Sequence, residues 1–448
     1  MLGQFGRLLA QYVRGRLQLP DGFPIEIITR MDPTDVNTLQ PAQVIQTQRV
    51  RIRLASTATY YAAYISLGLT SASLGPLLPL LAGQTHVRLS QVSILFTARW
   101  LGYLIGSLSS GRIFDRRAGH PVIAAGLVLV AVCMALTPAI PLLWGLALVM
   151  LLLGGGEASL DVGGNTLLIW LHGKQVAPFM NGLHFFFGLG ALISPLIIAQ
   201  AILVTGQYSW SVWMMALLIT PVVIALFRLP SPVSPTKEFQ AVNSEPIARS
   251  GNSSRTSWSV VFLFMLFFMA LVGAEQSFGG WIFAFSVKTG LANAQTAAYL
   301  TSAFWGAFTL SRLASIPLGG RLSARVYLII SLVSCTLSLT LLNTLRFLGV
   351  GSAATAVLWL GTMLFGISIA ALFPVTMSYA SERMGISGRV TSLFFVGVSA
   401  GGMLVPWLIG QYFESVGPYS TMVIILLTIL CGLVVFALID RITSDKST

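Results

Sequence analysis

The stretch GRIFDR at residues 111–116 recurs as GRLSAR at residues 320–325, so the two copies lie 209 positions apart. The same offset aligns FFFGLGA (185–191) with FFVGVSA (394–400), with Phe, Phe, Gly and Ala in register. Two matches at one offset indicate an internal duplication. We infer that the chain consists of two related halves.

Lipid is the predicted solvent for most of the chain. Of the 448 residues, 55% are hydrophobic and 9% are charged, whereas a soluble protein carries about 25% charged residues. The apolar runs are long enough for helices that cross a ~30 Å bilayer core, and transmembrane strands would instead alternate over ~10 residues. The predicted spans are 54–82, 92–112, 121–139, 141–170, 178–204, 209–228, 257–287, 296–317, 324–345, 352–377, 387–411 and 419–440.

These spans form two groups of six. We therefore predict an all-α integral membrane protein of 12 transmembrane helices, arranged as two pseudo-symmetric six-helix bundles. Repeated halves of this kind are typical of transporters that rock one half against the other. The predicted parts are a cytoplasmic N-terminal tail (1–53), the two bundles (54–228 and 257–442), a polar cytoplasmic linker (229–256) and a cytoplasmic C-terminal tail (443–448).

The distribution of Lys and Arg predicts the orientation. With a cytoplasmic N-terminus, 22 of the 26 basic residues fall on the cytoplasmic side and only Arg88, Lys288 and Arg346 fall outside. Arg312 is counted on the cytoplasmic side, and Arg99 is the one basic residue assigned to the interior of a span. This bias predicts cytoplasmic termini. We expect the protein in the plasma membrane. It also accounts for the net charge of +12, so we expect no nucleic-acid partner.

The motif GRIFDRRAGH (111–120) resembles the loop signature of the major facilitator superfamily, Gly-x-x-x-Asp-Arg-x-Gly-x-(Arg/Lys). It departs from that signature by one extra residue before Gly119 and by His120 in place of the last basic residue, and the second copy has Ala324 at the aspartate position. The resemblance implies a cytoplasmic latch between helices that breaks when the halves rock; the alternative is ordinary positive-inside charge. The latch residues would be Gly111, Arg112, Asp115, Arg116 and Gly119, with Arg321 and Arg325 as a weaker counterpart.

Four further stretches resemble the fucose permease branch of that superfamily, a group of hexose–proton symporters that includes the vertebrate sodium-dependent glucose transporter-like proteins. They are DVGGN (161–165), LHFFFGLGALISPLI (183–197), VGAEQSFGGWI (272–282) and ALFPVTMS (371–378). The resemblance places Asp161 and Asn165 at the acidic and amide positions of the branch's fourth-span motif, and Glu157 is extra. It implies a hexose-like solute and H⁺ or Na⁺ as coupling ion, with no other cofactor.

The acids inside spans are the main candidate site residues. An unpaired carboxylate at the bilayer centre costs at least ~2.5 kcal/mol, yet Glu157, Asp161 and Glu275 all fall well inside spans. Glu157 and Asp161 are four residues apart and share a helix face with Asn165, so this face must point into the bundle or a water-filled cavity. We predict that these residues, with Gln276, bind solute or coupling ion; the alternative is that they only bond across helices. Depth favours Glu157 as the coupling residue, whereas the resemblance favours Asp161.

Other candidates carry two interpretations each. Trp281 could pack against the apolar face of a sugar or belong to the outer aromatic belt, and Arg99 could pair with Glu157 or extend outward along the lipid. His184 could line the cavity or serve only in packing. Pro374, at Asn165 plus 209, predicts a kink near the cavity. The predicted lining residues of this second group are Arg99, Asn181, His184, Phe185, Trp281, Phe373 and Pro374.

The sequence therefore predicts a secondary active transporter that moves a sugar-like small polar solute by alternating access. An efflux carrier of amphipathic compounds is one alternative, and an intramembrane enzyme or a non-transporting sensor is another. The sequence contains no His-Glu-x-x-His, no Gly-x-Ser-x-Gly and no Gly-x4-Gly-Lys-(Ser/Thr) motif, and its four His are not clustered. We accordingly expect a monomeric carrier, not an enzyme, with no metal site and no use of ATP.

Overall fold

The computed structural model describes residues 41–232, 258–318, 322–384 and 388–444, and this part of the chain is helical without any strand. Much of the predicted linker lies outside the described residues. The helices are α1 Pro41–Gln84, α2 Leu89–Val92, α3 Ile94–Arg116, α4 Gly119–Leu136, α5 Leu143–His172, α6 Val176–Thr205, α7 Ser209–Arg228, α8 Trp258–Lys288, α9 Ala294–Leu318, α10 Ala324–Asn343, α11 Leu345–Leu348, α12 Ser352–Ile369, α13 Leu372–Arg383, α14 Gly388–Ser415 and α15 Ser420–Ser444.

Among the described residues, 11 helical segments are long and apolar enough to cross a membrane. The remaining long helix, α9, has 25 residues, which span about 37 Å at 1.5 Å per residue. It is less apolar because it carries several polar side chains, and of these Thr301, Ser302 and Thr309 are buried. Helix α9 packs against α6, α8 and α12, so protein rather than lipid surrounds much of its polar surface.

The tenth predicted span is not one continuous helix. Helix α12 ends at Ile369 and α13 begins at Leu372. Pro374 lacks the N–H that would bond to the carbonyl of Ala370 four residues earlier, so the helical ladder is interrupted here. The kink predicted at Pro374 is therefore present, as a break in the helix.

Glycines allow α3 and α5 to pack with their backbones in contact. A Cβ atom on Gly154 would lie 1.9 Å from the carbonyl oxygen of Arg99, and one on Gly102 would lie 1.8 Å from that of Leu151. Both distances are far below van der Waals contact, so only glycine fits at these positions. This close packing brings Arg99 on α3 next to Glu157 on α5.

The N-terminal helices α1–α7 and the C-terminal helices α8–α15 are hydrogen-bonded to each other at one end of the molecule, which we call the closed end. There Glu414 accepts bonds from the Leu89 N–H (3.2 Å) and the Ser90 hydroxyl (3.1 Å). The Gln411 amide donates to the Ser90 carbonyl at 3.0 Å. Helices α2 and α14 are therefore joined on this side of the bundle.

Candidate functional site

A cavity of about 450 Å³ lies between the two halves and is lined by α1, α3, α5 and α6 on one side and by α8, α9, α13 and α14 on the other. All three span carboxylates line it, and the polar face of the fourth span, with Glu157, Asp161 and Asn165, points into this cavity. A volume of this size is typical of small-molecule sites. The predicted residues in its lining are Arg99, Glu157, Asp161, Asn165, His184, Glu275, Gln276 and Phe373.

Glu157 and Arg99 form a buried, two-point ion pair. Arg99 Nη2 lies 2.5 Å from Glu157 Oε1 and Nε lies 2.8 Å from Oε2. The Thr70 hydroxyl donates a further bond of 2.6 Å to Oε1, and Arg99 Nη1 donates to the Ser71 carbonyl at 3.3 Å. Of the two interpretations of Arg99, the structure shows pairing. The charge of Glu157 is thus neutralised inside the protein.

Asp161 has a different environment, since its partners are neutral donors. The hydroxyls of Tyr64 and Tyr103 donate to its two carboxylate oxygens at 2.7 and 2.5 Å, and the Asn165 amide donates to Oδ1 at 3.0 Å. No Lys or Arg of the described chain lies within ion-pair distance of Asp161. Glu157 and Asp161, four residues apart, are therefore a paired and an unpaired carboxylate.

Glu275 supplies the third carboxylate, from α8 on the opposite side of the cavity. It is 9% exposed, and the Gln276 amide donates to its Oε1 at 3.2 Å. Both side chains line the cavity, as predicted. The cavity therefore offers hydrogen-bonding groups from both halves.

Arg312 also lines the cavity, so Arg99 is not the one basic residue of the described chain that faces the interior, which differs from the expectation from the sequence. The Arg312 Nε donates to the Ala370 carbonyl at 2.9 Å, and its guanidinium carbon lies 4.5 Å from the centre of the Phe308 ring. Because Pro374 deprives the Ala370 carbonyl of its helical partner, Arg312 supplies the missing donor. The sequence held a signal, since Arg312 falls inside the predicted span 296–317.

Several predicted lining residues are not among the described residues that line the cavity. Trp281 is fully buried between helices, where its indole N–H donates to the Pro406 carbonyl at 3.0 Å and its ring lies 4.9 Å from that of Phe413. It is thus neither a cavity residue nor part of a lipid-facing belt.

Three other predicted residues also lie outside the lining. Asn181 and Pro374 are exposed, and Phe185 is not part of the lining either.

His184 does line the cavity, where its ring meets the edge of the Tyr64 ring at 6.2 Å. Sequence reasoning missed Tyr64 and Tyr103, which hold Asp161. Tyr103 could have been found, because it lies four residues after Arg99 and therefore on the same face of α3. No comparable pattern in the sequence points to Tyr64.

The predicted latch residues of the first copy lie where α3 ends and α4 begins. Gly111, Arg112 and Arg116 are exposed, whereas Gly119 is buried and its N–H donates to the Ser231 hydroxyl at 2.9 Å. The Asp115 side chain and Arg321 lie outside the part of the chain that is described. The latch itself stays a prediction.

In the second copy, Arg325 forms an ion pair with an acid that lies outside the repeated motif. Arg325 Nη2 lies 2.6 Å from Asp440 Oδ2 on α15, and the Tyr379 hydroxyl donates to the other oxygen at 2.8 Å. Arg383 approaches the same oxygen at 3.8 Å. Asp440 thus joins α10, α13 and α15.

We expect Asp440→Asn to lower the melting temperature of the purified protein, because hydrogen bonds to a charged group contribute about 1.5–3 kcal/mol. Arg325→Gln should lower it less, since the Arg325 side chain is 54% exposed and exposed pairs contribute about 0–1 kcal/mol. Glu382→Gln, at an exposed position, serves as the control. Equal melting temperatures for Asp440→Asn and this control would contradict the assignment.

Comparison with known proteins shows the family and the fold of this chain. A family model described as Major Facilitator Superfamily matches residues 60–406. Sodium-dependent glucose transporter 1 of Xenopus laevis is 30% identical over 370 residues, which cover 78% of this chain and 73% of that protein. Major facilitator superfamily domain-containing protein 4A of Xenopus tropicalis is 26% identical, over 83% of this chain and 89% of that protein. The crystal structure of a D-xylose–proton symporter is similar in fold, with a TM-score of 0.68 and 12% identity, covering 85% of this chain and 97% of that one.

Proposed function

The chain belongs to the Major Facilitator Superfamily, and from this premise we propose that it moves a neutral sugar-like solute across the membrane together with H⁺ or Na⁺. The observation that carries the proposal is the carboxylate of Asp161, which faces the cavity, accepts three hydrogen bonds from neutral donors and has no described basic partner. Relatives named as sodium-dependent glucose transporters support the solute class.

Asp161 is the coupling residue in this proposal, and Glu157 is not. A coupling carboxylate has to gain and lose a cation during each cycle, and Arg99 already neutralises Glu157 by a two-point pair. The carboxylate of Asp161 with the hydroxyls of Tyr64 and Tyr103 forms a cluster of oxygen atoms, the ligand type that hard cations prefer. The same carboxylate can instead take up a proton.

The closed end faces the outside if the termini are cytoplasmic, as the basic residues predict. The structure then corresponds to a state open to the cytoplasm, and the exposed Arg112 and Arg116 belong to a latch that forms in the opposite state. During transport the protein would alternate between two states. In one state Glu414 and Gln411 form their bonds at the closed end, and in the other state this latch forms. The proposal includes a monomeric plasma-membrane carrier that is not an enzyme and uses no ATP or nucleic acid.

We expect Asp161→Asn to lose gradient-driven accumulation of D-glucose in proteoliposomes. At steady state the internal glucose concentration should then only equal the external one. Asparagine keeps the size of the side chain and lacks its charge, so no ion gradient can be coupled through it. Exchange of internal for external glucose should persist, because this half of the cycle needs no net ion movement. The measurement is uptake of labelled glucose under an imposed Na⁺ gradient or an imposed pH gradient.

The two gradients identify the coupling ion, since only one of them should drive accumulation by the parent protein. Glu382→Gln removes an exposed acid and should accumulate glucose like the parent. Accumulation by Asp161→Asn at the parental level would refute the coupling role of this carboxylate. A parent protein that accumulates no sugar under either gradient would refute the proposed function itself.

A further inference from the structure

Arg312 uses one part of its guanidinium in the protein and leaves the rest available. Its Nε is bonded to the Ala370 carbonyl at 2.9 Å, and its plane lies over the Phe308 ring. Its two NH₂ groups have no hydrogen-bond or ion-pair partner among the described residues, although the side chain lines the cavity. The orientation of the guanidinium is therefore fixed before any solute arrives.

The break between α12 and α13 explains how this orientation is fixed. The Ala370 carbonyl has no helical donor because the residue four positions later is Pro374, and the Arg312 Nε occupies that vacant acceptor. A guanidinium held at Nε directs its two NH₂ groups together as a planar fork. In this cavity the fork is directed by the Ala370 carbonyl, between α12 and α13, and by the ring of Phe308.

Arg312 and Glu275 lie near each other without touching. Both side chains line the same cavity, yet no ion pair within 4.0 Å joins them. A group bound in this cavity could therefore accept hydrogen bonds from Arg312 and donate one to Glu275. A hydroxyl does both, whereas a guanidinium only donates and a carboxylate only accepts.

The charge of the lining argues for a neutral solute. Among the described lining residues there are three carboxylates and two guanidiniums, and Arg99 is occupied by Glu157. An anionic solute would add a second uncompensated negative charge in a low-dielectric site, which is unfavourable. A coupling cation at Asp161 and a neutral solute would instead leave the filled cavity without net charge.

We propose that Arg312, together with Glu275, binds a vicinal diol of a neutral polyhydroxylated solute, with the two NH₂ groups donating to the hydroxyl oxygens and the Glu275 carboxylate accepting from a hydroxyl. This inference rests on the proposed sugar transport and adds the group of the solute that is recognised. Trp305, which also lines the cavity, offers an apolar ring for the C–H face of the same molecule.

The test compares D-glucose with its 2-, 3-, 4- and 6-deoxy analogues as competitors of labelled glucose uptake in proteoliposomes. In the parent protein, removing one hydroxyl of the recognised diol should weaken competition about tenfold or more, since a site that bonds a hydroxyl rejects the analogue that lacks it. In Arg312→Gln the KM for glucose should rise by a similar factor. In this variant the deoxy analogue should compete with labelled glucose as well as unlabelled glucose does.

Two further variants separate solute binding from a purely structural role. Arg346 is a matched control, because its Nε also donates to a backbone carbonyl, that of Asn343, and its guanidinium also lies over a phenylalanine ring. Arg346 does not line the cavity. The variant Arg346→Gln should therefore keep the parental KM. Pro374→Ala restores an N–H to the Ala370 carbonyl. If the double variant Arg312→Gln/Pro374→Ala regained the parental KM and selectivity, Arg312 would be structural and the inference overturned.

The outcomes also separate this inference from the proposed function. Sugar uptake by the parent, with KM and selectivity unchanged in Arg312→Gln, overturns the role of Arg312 and leaves sugar transport standing. Absence of sugar uptake by the parent overturns both. Loss of selectivity in Arg312→Gln, not rescued by Pro374→Ala, supports the inference.

Discussion

Arg99→Gln is expected to destabilise the protein by about 3–5 kcal/mol, because removal of one partner of a buried ion pair leaves the other charge uncompensated. The charge left behind is that of Glu157, which is 4% exposed and would retain only the hydrogen bond from the neutral Thr70 hydroxyl among its described contacts. Transport should be lost with it, since Arg99 also lines the cavity. The measurement is thermal unfolding of the purified protein together with glucose uptake.

The double variant Arg99→Gln/Glu157→Gln distinguishes a charge effect from a packing effect. Two amides of similar shape can bond to each other without either carrying a charge, so the double variant should be more stable than both single variants. Arg441→Gln, at an exposed position, should melt like the parent. A double variant no more stable than Arg99→Gln would show that the pair is not the main contribution of these residues.

Glu157 and Asp161 have different partners, a difference that the sequence left open. Sequence position alone made Glu157 and Asp161 equivalent candidates, one favoured by depth and the other by resemblance. The difference between them arises from residues on other helices, Arg99 and Thr70 for one and Tyr64 and Tyr103 for the other. The periodicity of α5 predicted that both face the cavity, and it carried no information about their partners.

The same limit explains the errors. Trp281 was assigned by its position along one helix, but its environment is set by Pro406 and Phe413 on α14, more than 120 residues away in sequence. Arg312 was counted with the cytoplasmic residues because basic residues near span ends usually lie there, and its place in the cavity lining was not foreseen. Its Nε is held by the Ala370 carbonyl, which Pro374 leaves without a helical donor at the break between α12 and α13. Helices, halves and polar faces follow from local pattern, whereas contacts between helices do not.

The contact between the halves near the cavity requires the absence of a side chain on α1. A Cβ atom on Gly75 would lie 2.7 Å from the carbonyl oxygen of Gly279 and 2.9 Å from that of Gly280, both backbone atoms of α8. Backbone cannot rotate away as a side chain can, so Gly75→Ala must separate α1 from α8. Such overpacking costs about 1–3 kcal/mol, which changes the ratio of two conformations about 5- to 150-fold.

We therefore expect Gly75→Ala to shift the protein away from the state with a closed end and to slow transport. Ser93, at that end, is fully buried, so a Ser93→Cys probe in a background lacking Cys133, Cys335 and Cys431 should react slowly with a membrane-impermeant maleimide. Adding Gly75→Ala should accelerate the reaction. Gly83→Ala is the matched control on the same helix, because a Cβ there meets nothing within 4 Å. Equal reaction rates in the two alanine variants would show that the closed end does not depend on contact between α1 and α8.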